Sequence, residues 1–219
     1  MNRSEIKELA KTKIKGNKWN IIWPMLIIGV VGSILSRIFG GSVEIDFNNL
    51  ESLTNIHFSP MHYFSNIVVS ILTGLATAGY IKYILNFVRT GKFNTNDIFD
   101  TIKEKWLNIL IADILSTIII SLCSCLFVVP GIIMALAYAF VTFIVIDTDT
   151  AGSDSLKASR EMMKGYKWNY FVFGLSFIGW FLLVPFTLGI LLIWLYPYVT
   201  VAYVIYYDKL KEISKLKKD

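Results

Sequence analysis

The chain has 219 residues, of which 55% are hydrophobic, 15% aromatic and only 17% charged, and its mean hydropathy is +0.58. Ordinary soluble domains carry about 25% charged residues, and a chain this size leaves too much surface in water to hide such a composition in one soluble core. That excludes a simple soluble domain, and with it the nucleic-acid partner that a net charge of +5 and a pI near 9.1 would otherwise suggest; the basic residues read instead as markers of one side of a membrane.

The first segment, 1–18, is basic and amphipathic, with Ile6, Leu9, Ala10 and Ile14 on one helical face. The apolar run Trp19–Ile38 is too long for a signal-peptide core and no A-x-A site follows it, so it reads as an uncleaved first span. Residues 40–60 hold Glu44, Asp46 and Glu51 but no basic residue, and the second span follows at about Phe64–Val88. A second amphipathic stretch carries Ile98, Phe99 and Ile102 on one face. From Leu107 to Ile146 the only charge is Asp113. As one helix this run would be about 60 Å long, twice the bilayer, so it must fold back, and Pro130-Gly131 is the expected turn. A third, less regular amphipathic stretch carries Leu156, Met163 and Tyr166. Asn169–Tyr207 has no charge at all and supplies two more spans, turning near Pro185–Gly189. Pro24, Pro185 and Pro197 are expected to interrupt apolar helices, a feature of some transport sites and of membrane helices generally.

The expected fold is an all-α membrane protein with six transmembrane helices in three hairpins, because backbone groups in lipid need internal partners. Short amphipathic interfacial helices precede helices 1, 3 and 5. The chain is read as a single integral domain: a cytoplasmic amphipathic segment (1–18), a six-span bundle (19–207) and a basic cytoplasmic tail (208–219). Nineteen of the 21 Lys and Arg residues fall before span one, between spans two and three, between spans four and five, or in the tail. Both termini are therefore expected in the cytoplasm, in the plasma membrane of a bacterial cell, facing anionic inner-leaflet lipids.

"KGNKWN" at 15–20 returns as "KGYKWN" at 164–169, with a weaker echo, "KEKWLN", at 103–108. Each places a Lys-Trp pair before an odd-numbered span: Lys18-Trp19, Lys105-Trp106 and Lys167-Trp168. Tryptophan suits the headgroup level and lysine the water just outside it. Convergent anchoring and an internal duplication both account for the repeat.

Two charges fall inside spans. Lys82 continues a stripe of Ser70, Gly74 and Ala78, while Asp113 heads a polar stripe with Thr117 and Ser121. Counted from Arg89 and from Trp106, both lie about 10 Å deep on the same side, and a Lys82–Asp113 ion pair is expected. It would serve as a register-fixing pair or as part of a proton or solute path; the remaining alternative is that Lys82 snorkels alone. Arg37, at the outer end of span one, reads as snorkelling. Cys123 and Cys125 read as packing residues. "DTDTAGSD" at 147–154 has a calcium-loop start but lacks the ligand at the twelfth position, so it reads as a solvated helix cap. His57 and His62 make a weak metal pair. No Walker A, G-x-S-x-G, H-E-x-x-H or G-x-G-x-x-G is present, so no cofactor and no enzymatic activity are expected.

Pro130-Gly131, Ser159-Arg160, Met163-Lys164-Gly165, Trp168, Gly179-Trp180 and Pro197-Tyr198, with the opening "SEIKELAKTKIKGNKW", resemble a bacterial integral membrane family, the domain of unknown function DUF975, found mainly in Gram-positive bacteria. The Pro-Gly turn and the basic Ser-Arg helix are more distantly similar to membrane domains attached to some glycerophosphodiester phosphodiesterases. The resemblance implies six spans and an auxiliary membrane role, and it transfers no catalytic residue. The functional expectation is a non-enzymatic accessory protein that binds a membrane-protein partner. The alternative is a small permease or channel subunit using Lys82 and Asp113, and a lipid-acting enzyme is a third reading.

Overall fold

The computed structural model describes residues 2–39 and 60–216, with side chains for 2–38 and 64–214; His57, the His62 side chain, nearly all of the 40–60 segment and the last residues of the tail lie outside the described residues. Every regular element among the described residues is helical: α1 (Arg3–Ile14), α2 (Lys18–Phe39), α3 (Pro60–Thr90), α4 (Asn96–Leu126), α5 (Val128–Ala137), α6 (Val141–Asp147), α7 (Gly152–Met162), α8 (Lys167–Leu175), α9 (Ile178–Leu182), a 3-10 turn (Pro185–Thr187) and α10 (Ile190–Leu216). Six stretches are long and apolar enough to cross a membrane: Lys18–Ile38, Phe64–Thr90, Asn96–Leu126, Val128–Asp147, Lys167–Thr187 and Ile190–Ser214. The chain is a multi-pass membrane protein.

The repeated hexapeptide is a local structure used twice. Gly16 (φ 90°) and Gly165 (φ 85°) both take the left-handed backbone that ends one helix, and the next helix starts two residues later, at Lys18 and at Lys167. A β-carbon disfavours that conformation, which is why glycine stands there. In the third echo, aligned on its Lys-Trp pair, Lys103 occupies the glycine position, and α4 runs unbroken from Asn96 to Leu126. The amphipathic stretch expected ahead of span three is therefore the first turns of the span itself, with Lys105-Trp106 in mid-helix.

The chain turns at Phe127 (φ −157°, ψ 143°), three residues before the expected Pro130-Gly131 turn. Pro130 lies in the first turn of α5, where its missing N–H costs nothing. Gly131 serves close packing instead: a Cβ there would lie 2.9 Å from the Ser124 Cα on α4. Pro24 and Pro197 sit inside continuous helices, α2 and α10. The breaks fall elsewhere, between α5 and α6 and along residues 175–190, where Leu188 (φ 49°) and Gly189 (φ 82°) close the last turn near the expected position. The α5–α6 break is stitched by buried Ser159 of α7, whose Oγ donates to the Ala137 carbonyl (2.9 Å) and accepts from the Phe140 N–H (3.3 Å).

The larger core gathers at one end of the bundle, where α1, the α3–α4 connection, α7 and the end of α10 meet. Tyr80, Ile84 and Phe87 of α3, Phe140, Phe173, and Val201, Tyr206 and Tyr207 of α10 are fully or almost fully buried there. α1 docks onto this core through Ile6 and Ala10, both fully buried, while Leu9 stays exposed. Lys7 Nζ donates to the Ser176 carbonyl (3.1 Å) and lies 4.4 Å from the Phe177 ring centre. Burial there lowers the Lys7 pKa, assisted by Lys11 and Arg3. We call this the basic end. Toward the far end the apolar side chains face outward, as at Ile34 and Ile38 of α2, Leu122 and Leu126 of α4, and Phe186.

Two tests follow from this packing. Ser159→Ala strands both backbone groups at the α5–α6 break and should cost about 1–3 kcal/mol, read as a lowered midpoint in detergent unfolding. Gly79→Ala should lower the unfolding free energy, because its Cβ would lie 2.8 Å from the Ile98 carbonyl oxygen, whereas Gly74→Ala, with open space around it, should leave it within about 0.5 kcal/mol of the parent.

Candidate functional site

The antiparallel register of α3 and α4 decides which charges meet. Gly79 abuts Ile98, and Asn86 Nδ2 donates to Asp97 Oδ2 at 2.8 Å. Farther along, Ser70 and Gly74 come level with Ile109 and Asp113. Lys82 is twelve residues from Ser70, about 18 Å along the axis at 1.5 Å per residue. The structure thus does not bring Lys82 and Asp113 together, and no ion pair among the described residues joins them. Lys82 instead feels Asp147, Lys105, Arg89 and Asp97, all at the basic end. The expected pairing took Trp106 as the start of its helix. The helix starts ten residues earlier, at Asn96, which lifts Asp113 out of reach.

Asp113 faces a cleft. Its Oδ1 accepts from Thr142 Oγ1 at 3.1 Å, and no cation pairs with it among the described residues. A cavity of about 890 Å³ lies against α2 and α3, with Asp113 and Thr142 in its wall. Beside apolar residues such as Ile28, Val69 and Ile81, its lining carries Ser33, Ser36 and Arg37 from α2, and Ser70, Thr73 and Thr77 from α3. A second cavity, of about 550 Å³, lies between α3 and α4 and is lined by Asn66, Thr117 and again Ser70, Gly74 and Asp113. The two clefts flank α3 and share Asp113. The hydroxyls of Thr73 and Thr77 donate to Val69 O and Thr73 O (2.8 Å each), so their own helix satisfies the protons and their oxygen lone pairs stay available. A half-buried carboxylate without a cation is costly inside a membrane bundle. Water, a proton or a cationic ligand in the cleft would relieve that cost.

At the basic end a second charged group ties three spans together. Asp147, at the end of α6, has a side chain only 3% exposed. It accepts from Arg89 Nη1 (2.5 Å) and Nη2 (3.0 Å), from the Tyr207 hydroxyl (3.0 Å) and from Lys211 Nζ. Arg89 also holds Asp208 through Nε (3.1 Å) and Nη2 (2.5 Å). The aspartate expected to cap a helix in water is the centre of a clamp across α3, α6 and α10. Sequence reasoning missed this. The available signal was that spans two, four and six each end on a charge, at Arg89, Asp147 and Asp208. Among the described residues no group of three or more His, Cys, Asp or Glu gathers in a way that suits a metal.

The Lys-Trp pairs fall in three settings. Trp19, Trp106 and Trp168 are all well exposed. Lys18 Nζ lies 4.8 Å from the Trp194 ring centre. Lys105 Nζ donates to the Thr148 carbonyl (2.8 Å) and pairs with Asp149 (3.3 Å). Lys167 opens α8. A test of the clamp follows: Arg89→Ala leaves Asp147 buried beside one remaining cation and should cost about 3 kcal/mol, whereas Lys209→Ala, which removes only the more exposed pair with Glu5, should cost under about 1 kcal/mol. Chemical unfolding in detergent reads both.

No curated protein and no solved structure matches the chain. The family described as "Protein of unknown function (DUF975)" matches it over residues 1–141 and 126–214, nearly its whole length. With its glycine-punctuated helix starts and six span-length helices, the chain belongs to the DUF975 family.

Proposed function

We propose that this protein is a non-enzymatic permease or channel subunit of the bacterial plasma membrane, with the Asp113 cleft as its solute site. The observation that carries this reading is a cavity of about 890 Å³, lined in part by hydroxyls, that runs between two spans and has in its wall a carboxylate with no cation partner among the described residues. A helix face meant only for lipid would not be lined by Ser33, Ser36, Ser70, Thr73 and Thr77. The role that the sequence suggests for a Lys82–Asp113 pair passes to Asp113 alone. The Arg89–Asp147–Asp208 clamp ties spans together at the basic end while the cavity lies away from it, an asymmetry of the kind a carrier needs in one of its states.

In this proposal the spans pair as three hairpins, both termini are cytoplasmic, and α1 and α7 lie at the inner interface. The distribution of Lys and Arg supports that orientation. The sequence's lack of hydrolase and nucleotide motifs supports a non-enzymatic role. The accessory, partner-binding reading is favoured by one observation, the outward-facing apolar side chains at the far end. A partner helix there would sit beside the cleft without filling it.

Thiol labelling tests the solute site. In a background where Cys123 and Cys125 are replaced by serine, Ser33→Cys and Ser70→Cys should react with a membrane-impermeant methanethiosulfonate added outside intact cells. Their rates should be about tenfold above that of Ile34→Cys, an exposed apolar position on α2, because the reacting thiolate needs water. Rates no higher than that of Ile34→Cys would mean a dry cleft and would sink the permease reading. Reaction only from the inner side would keep the solute site and reverse the proposed orientation.

A further inference from the structure

The cleft holds two residues of opposite charge, and neither has an ion-pair partner among the described residues. Arg37 and Asp113 both line the cavity of about 890 Å³. Asp113 has only the Thr142 hydroxyl as a partner, and Arg37 takes part in no ion pair among the described residues. Their relative height follows from the helix registers. Tyr83 OH donates to the Asn20 carbonyl (2.9 Å) and Tyr80 OH to the Ile21 carbonyl (3.1 Å), and a Cβ on Gly32 would lie 3.4 Å from Thr73 Oγ1. In this antiparallel pair Arg37, five residues beyond Gly32, comes level with Val68. The Gly79–Ile98 and Asn86–Asp97 contacts put Asp113 level with residues 64–70 of α3. The two charged residues therefore lie within about 6 Å of one another in height at 1.5 Å per residue.

Bundle charges of opposite sign usually pair directly. Here the cavity separates them. Ser33 and Ser36 of α2 and Ser70, Thr73 and Thr77 of α3 line the same cavity. Threonine hydroxyls whose protons are spent on their own helix act as acceptors toward a ligand, and together with the carboxylate they suit N–H donors. The guanidinium offers only donors, in a fork that fits a carboxylate or phosphate.

We infer that the cleft takes a compact zwitterion, its ammonium at Asp113 and its anionic end at Arg37. This rests on the reading of the cleft as a wet solute site. The chemistry is shared by a free amino-acid-like solute and by the headgroup of an ethanolamine phospholipid. Snorkelling, the sequence-based reading of Arg37, would leave Asp113 to a simple cation.

Protection of Ser70→Cys from a small neutral maleimide tests this, again with Cys123 and Cys125 replaced by serine. In detergent, glycine or glycerophosphoethanolamine should slow labelling in a saturable way, and methylammonium or acetate at the same concentrations should not. Asp113→Asn and Arg37→Gln should each raise the half-protecting concentration by about thirtyfold or more. The unprotected rate should stay at the parent value, which shows that the cleft is intact. In vesicles, slower labelling with phosphatidylethanolamine present than in phosphatidylglycerol alone, without protection by the soluble probes, would assign the zwitterion to lipid. Equal protection by methylammonium, retained in Arg37→Gln, would overturn the inference in favour of a plain cation site. No protection by any probe or lipid, with labelling itself normal, would overturn the zwitterion and leave the wet cleft standing.

Discussion

The close approach of α3 and α4 at Gly79 sets the register on which the rest of the structure depends. With the Ile98 carbonyl where a side chain at residue 79 would begin, the helices cannot slide past one another without a clash. In a membrane, lipid tails are as apolar as leucine, so helices associate through backbone proximity and local polar contacts rather than by the hydrophobic effect. One glycine contact and the Asn86–Asp97 hydrogen bond therefore carry unusual weight here. They put Lys82 among the charges of the basic end and Asp113 beside Ser70 and Gly74, in a cleft instead of an ion pair.

The bundle is built unevenly along its length. At the basic end, aromatic side chains interlock: Phe140 packs against Tyr170, Tyr206 and Tyr207, and Phe173 against Phe177, Tyr203 and Tyr206. The Arg89–Asp147–Asp208 clamp crosses the same region. A nearly buried aspartate is tolerable because three donors from two other spans converge on it. Toward the far end the helices carry outward-facing apolar side chains and leave polar clefts on both sides of α3. The basic end is thus densely packed and cross-linked by charge, and the polar clefts lie away from it.

The glycines show how one residue type does two jobs. Gly16 and Gly165 are needed for backbone conformation, and each ends an amphipathic helix so that a span starts two residues on. Gly79 and Gly131 are needed for proximity, and each lets a neighbouring helix come within reach of its backbone. The resemblance of residues 15–20 to 164–169 is thus a shared helix-to-helix junction, and the absence of glycine at 103 explains why the third echo has no junction.

Composition and charge alone determine that the chain is helical, membrane-embedded and six-spanning, because both uninterrupted apolar runs exceed a bilayer and lipid permits only closed backbone hydrogen bonding. They also locate the turn between the last two spans and the Lys-Trp helix starts at 18 and 167, since proline, glycine and basic residues act locally. The α4–α5 turn was read three residues late because proline is as comfortable in the first turn of a helix as in a loop. The start of α4 was missed because its first ten residues are polar enough to pass for a separate interfacial helix. The second of these ambiguities shifts Asp113 by several turns relative to Lys82. Only tertiary structure decides register, and register decides which charges meet. Asp147 passed for a solvated cap and Asp113 for one half of an ion pair, because a carboxylate's role depends on partners from other helices, at positions far away in the chain.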